Sequence, residues 1–119
     1  MDVVKNLEKA REIITPREKW IVGNRWRELK EGGYAHCALG AIEMAKGGIS
    51  HKNSAKNCDP EVVALAAAIP ANEKAKALQV TGVHAAQVAH YNNRIDHETV
   101  LKWFDKAIQL QREHPMEKV

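Results

Sequence analysis

Cys37, with His36 beside it and His84, His90 and His97 further along, supplies the residue types of a thiol nucleophile and an imidazole base. Spacing argues against the adjacent pair. Both residues fall in an apolar run that reads as a helix, where neighbours point about 100° apart and do not face each other, so a base for Cys37 must come from a distant histidine. No nucleophile elbow or other family signature surrounds the thiol, and its small apolar neighbours favour a buried structural cysteine. A small cysteine-dependent hydrolase or transferase using Cys37 is therefore kept as an alternative. The same side chains are metal-ligand types, but His84 and His90 diverge by roughly 120° on a helix and no pair of cysteines stands three apart. Gly32-Gly33 and Gly47-Gly48 lack the strand, lysine and hydroxyl of a phosphate-binding loop. Neither a metal nor a cofactor is expected.

Two polar clusters remain as candidates for binding. Between Arg17 and Lys30, five basic residues stand against Glu18 and Glu28, an excess equal to the net charge of +3 of the whole chain. Within it Trp26 lies between Arg25 and Arg27, with Lys30 following; exposed, such a set stacks a base and neutralises phosphate, which makes nucleic-acid binding through residues 17–30 a second alternative. The basic face is short for reading duplex DNA, and a small anionic ligand or a protein partner asks less of it. The ordinary reading is a solvated face whose long side chains cover apolar neighbours. The second cluster is the corner Tyr91-Asn92-Asn93-Arg94. Amides there commonly satisfy loose backbone groups, and the functional alternative is that they line a pocket.

The elements that must position these residues are helices. Asp2 caps a first helix with Val3, Leu7, Ala10, Ile13 and Ile14 near one face, and Thr15-Pro16-Arg17-Glu18 has the form of a capping box opening a short helix with Trp20. A hairpin around Gly23-Asn24, spanning residues 20–26, is the alternative for that stretch. The run from Tyr34 to Ala45 is apolar nearly all round, which predicts a central helix, residues 34–46, enclosed by the others. Gly40 inside it costs about 1 kcal/mol relative to alanine and signals a packing constraint. Residues 49–58 read as a mobile loop, Asp59-Pro60-Glu61 as a capped helix start, and Asn72 as the cap of a helix from Glu73 to Val80 ending at Gly82. A buried helix from Val83 to Tyr91 follows, and Asp96, flanked by a staple of Ile95 and Val100, starts the last one. The tail is expected to fray from about residue 112.

With alternating patterns nearly absent, the expected fold is all-α: a compact bundle of five to seven short helices forming a single domain over residues 1–119. At 45 % apolar and 28 % charged residues this is ordinary globular composition, and no apolar run nears the roughly 20 residues of a membrane span. The charged amphipathic beginning excludes a secretory signal, so a cytoplasmic location is expected, with Cys37 and Cys58 reduced.

Cys37-Ala38-Leu39-Gly40-Ala41-Ile42, preceded by Trp20-Ile21-Val22-Gly23 and followed by Tyr91-Asn92-Asn93 and the run from Val100 to Ile108, resembles a family of small uncharacterised proteins of bacteriophages and some actinobacteria. Where that family tends to carry Asn-Asp, this chain has Asn92-Asn93, which argues against an obligatory carboxylate at the corner. The resemblance implies a phage or phage-derived origin and no established activity. By analogy with small phage proteins that lack enzyme signatures, the expectation is a non-enzymatic binding protein in the host cytoplasm. It would associate with a host protein or sequester a small anionic, nucleotide-like ligand in counter-defence, as a homo-oligomer without contact with a membrane. The candidate binding residues are Arg25, Trp26, Arg27, Lys30, Tyr91, Asn92, Asn93 and Arg94.

Overall fold

The first and last helices are signed by their caps and held by their apolar faces. In the computed structural model, which describes residues 2–47, 59–80 and 83–114, helix α1 (Val3–Ile13) begins where the Asp2 carboxylate accepts the Lys5 amide at 3.2 Å. The last, α6 (His97–Glu113), begins where Asp96 accepts the Thr99 amide at 2.9 Å, satisfying one of the amides that a helix leaves open at its start. Between them lie α2 (Ala38–Ala45), α3 (Pro60–Ala67), α4 (Ala71–Val80) and α5 (His84–Asn92). Helix α1 packs on α2 and α6, and α3 packs on α5 and α6. Leu7, Ile14, Ile42, Leu65, Val88 and Phe104 form the fully buried centre. Trp103 closes it by donating its indole N–H to the Leu65 carbonyl at 2.8 Å and standing edge-on to Tyr91.

The fold is mostly helical but not all-α, and the expected central helix over residues 34–46 is corrected to 38–45. Tyr34–His36 form a strand, β2, paired antiparallel with β1 (Trp26–Glu28) so that Trp26 faces His36 and Glu28 faces Tyr34. The chain reverses between them through Gly32 and Gly33, whose φ values of 95° and 79° lie where side-chain-bearing residues are disfavoured. Neither the helix at Thr15-Pro16 nor the hairpin over residues 20–26 forms. The Thr15 hydroxyl donates back to the Arg11 carbonyl at 2.8 Å instead of capping forward, and only a short 3-10 turn, Arg17–Lys19, follows. Trp20 then runs extended beside His36 in a parallel bridge. Residues 49–58, the end at Gly82 and the tail 115–119 lie outside the described residues.

Three helices are tied by a charge that is nearly sealed from water. The Glu61 side chain, 1 % exposed, accepts from Asn6 of α1 at 2.9 Å and from Lys46, just past α2, at 3.0 Å. Burial opposes the Lys46 ammonium, but the hydrogen bond and charge of Glu61, with Asp59 at 3.5 Å, outweigh it and hold the lysine pKa above its ordinary value. Asp59 stands at the cap position of α3 without a side-chain capping bond, its carboxylate engaged with Lys46.

His36 sits between Trp20 and Trp26, and its buried Nδ1 has no partner among the described residues. Burial, with the nearby Lys19 ammonium, lowers its pKa below the ordinary 6.5. The unfolded chain then takes the proton first, so His36 contributes full stability above pH 6.5 and loses it progressively as the pH falls below that value. We expect the urea midpoint to drop between pH 7 and 5 with a slope from this residue of at most about 1.4 kcal/mol per pH unit. His36→Gln should flatten that slope whatever it does to the midpoint itself; an unchanged slope would refute the assignment.

Candidate functional site

Two concavities among the described residues are candidate sites. The larger, about 860 Å³, is a groove between α1 and α6, and both of its arginines are already engaged with carboxylates on the facing helix. Arg11 meets Asp105 and Arg112 meets Glu8, each at 2.6 Å across the helix interface. The smaller, about 350 Å³, is built differently, from three parts of the chain that are far apart in sequence.

Its first side is the loop Gly23-Asn24-Arg25, its second is Cys37 and Leu39 at the start of α2, and its third is Val83 with Ala85, Ala86, Ala89, Asn92 and Asn93 of α5 and its end. The three sides are fastened by one buried amide. Asn92 Oδ1 accepts the Trp20 indole N–H at 2.9 Å and the Ala38 amide at 3.1 Å, and its Nδ2 donates to the Ile21 carbonyl at 3.2 Å. Asn92 thus caps α2 from another helix, accepting the first amide of a helix whose own cap residue, Cys37, has neither hydroxyl nor carboxylate. Asn93 Oδ1 accepts the Gly23 amide at 2.8 Å and steadies the loop. An aspartate at 93 would accept the same amide, so the corner does not depend on which of the two it carries.

Arg25 gives the cavity its charge. Its Nη1 donates to Glu43, which is 1 % exposed, while 35 % of the Arg25 side chain stays open. Its carbonyl accepts the Cys37 amide at 3.1 Å, so the arginine is held by backbone as well as by its head group. Cys37, on the wall that α2 begins, is 5 % exposed. Burial pushes its thiol pKa up; the amides of Gly40 and Leu39 and the Arg25 charge pull it down less strongly, and Glu43 adds to the rise. At neutral pH the sulfur is a protonated thiol, the weaker form as a nucleophile. No histidine lines the cavity and no hydrogen bond joins the thiol to an imidazole among the described residues. Three metal-ligating side chains do not converge anywhere among them.

The structure therefore brings Arg25, Asn92 and Asn93 together and leaves the other candidates apart. Trp26 alternates with Arg27 along β1, so the two face opposite sides of the strand, and it meets Tyr34 edge-on at 5.5 Å. Arg27 and Lys30 are exposed on the hairpin, outside the cavity. Tyr91 is buried against Trp103, and Arg94 pairs with Glu73 at 3.2 Å. Asn24, Leu39 and the alanine face of α5 were absent from the sequence-derived set. The i, i+1, i+4 spacing of Ala85, Ala86 and Ala89 marks one helix face, but only the loop opposite makes it a wall.

Fold and site together define a small, mostly helical domain with a two-stranded sheet and an apolar-walled cavity carrying one arginine. The chain belongs to a family of unknown function, DUF6197, whose model matches residues 1–110. No curated protein and no solved structure matches it. Among the described residues, no helix is long and apolar enough to cross a membrane.

Proposed function

We propose that the protein is a non-enzymatic binding protein that holds a small anionic ligand in the cavity between Arg25, Cys37 and α5. The observation that carries this reading is the anchored Arg25. A guanidinium fixed by a buried carboxylate and by its own backbone, at the edge of an apolar cavity, is a preorganised recognition group, and preorganisation lowers the ordering cost of binding. The protonated thiol and the lack of an imidazole on the cavity wall weigh against cysteine catalysis. Stoichiometric sequestration in a host cytoplasm, as expected of a phage-type protein, is part of the proposal.

Native mass spectrometry of the protein, expressed in cells and purified gently, tests it. The expected result is a retained small-molecule adduct, lost in Ala86→Trp, which fills the cavity from an exposed position and should leave the fold intact by circular dichroism. An adduct that survives Ala86→Trp, or no adduct at all, counts against the cavity. If Cys37→Ala abolished a hydrolytic activity that the purified protein displayed, the enzyme reading would replace this one.

A further inference from the structure

Resting on the binding reading above, we propose that the cavity selects a small monocarboxylate over a phosphate of similar size, received on the edge of the Arg25 guanidinium that Glu43 leaves open. Arg25 is the sole charged residue on the cavity wall among the described residues. Glu43 engages its Nη1, and the other guanidinium nitrogens have no partner among the described residues. Two parallel N–H groups on the remaining edge match the two oxygens of one planar carboxylate.

The charge count separates the two anions. A phosphate monoester brings about −1.5 to −2 at neutral pH where a carboxylate brings one charge. Here the arginine is already paired with Glu43, and among the described residues no second cation lines the cavity to meet the surplus. Each additional negative charge therefore faces the buried Glu43 carboxylate behind the guanidinium. Asn24 and Asn93 add neutral polar groups at the same rim, and Leu39 with the alanines of α5 offers an apolar wall for the body of the ligand. A volume of about 350 Å³ lies at the small end of ligand sites, which suits a compact aromatic or branched acid.

Three probes that share a phenyl body decide it: phenylacetate, phenyl phosphate and phenylacetamide, titrated into the whole chain at pH 7.5 and followed through the backbone amide resonances of Ala86, Ala89 and Asn93. Phenylacetate should bind at least tenfold more tightly than either of the others. Arg25→Lys, which keeps the charge and removes the fork, should weaken phenylacetate about tenfold with little change for phenylacetamide. Glu43→Gln should bring the carboxylate-to-phosphate ratio toward one, a change that a purely structural glutamate would not produce. Preference for phenyl phosphate or phenylacetamide would overturn the inference while leaving a binding cavity. So would silence from all three probes, and the probe-free adduct measurement then decides separately whether the binding reading falls as well.

Discussion

Gly40→Ala should destabilise the protein by about 3 kcal/mol or more, at the upper end of what overpacking costs in a rigid interior. Helix propensity by itself predicts the opposite sign, a gain of about 1 kcal/mol when alanine replaces glycine inside α2. Contact decides between them. A Cβ on Gly40 would lie 2.1 Å from the Arg25 carbonyl oxygen and 3.3 Å from the His36 Cβ. Neither neighbour is free to withdraw, because that carbonyl accepts the Cys37 amide and His36 is paired on both sides. Urea unfolding monitored by circular dichroism reads the sign directly, and a variant at least as stable as the parent would show that the loop does not cross α2 at this point.

Asn92→Ala is expected to cost about 3 kcal/mol, since a buried donor or acceptor left unmade costs about 1–3 kcal/mol and three groups lose their partner at once. They are the Trp20 indole N–H, the Ala38 amide and the Ile21 carbonyl. The residue is 1 % exposed, so bulk water does not replace the lost bonds without a local opening. Asn92→Asp is the informative companion. Its carboxylate keeps both acceptor bonds but sets an oxygen against the Ile21 carbonyl, so it should fall between parent and alanine variant near neutral pH. Equal midpoints for all three proteins would mean that the amide fastens nothing.

The parts of this fold that the amino-acid order announces are those whose causes are local. Asp2 and Asp96 each cap the helix that begins at the next residue, and the spacing of Val100, Phe104, Ala107 and Ile108 is the face that α6 buries. The strand at Tyr34–His36 was not legible, because three residues hold too little alternation to separate a strand from a helix, and their partners on β1 lie beyond a turn that the pattern does not announce. Thr15-Pro16-Arg17-Glu18 shows the same limit from the other direction. It is a sound local start signal, overridden by the bridge that draws Trp20 alongside His36.

For the site, the residue types were visible and their grouping was not. Arg25 and Asn93 belonged to separate clusters on the chain, and Cys37 read as packing. They share a cavity only because Asn92 reaches Ile21 across 71 positions and Ala38 across 54. Asn92 itself illustrates the division: an amide at a helix corner announces that it will satisfy backbone, while the backbone it satisfies is set by the tertiary fold.

That single amide also governs how the cavity can deform. With the loop before β1, the first turn of α2 and the end of α5 meeting at one side chain, none of the three sides has a hinge of its own. A guest must therefore fit the mould as it stands or displace all three together, which favours narrow selectivity over accommodation.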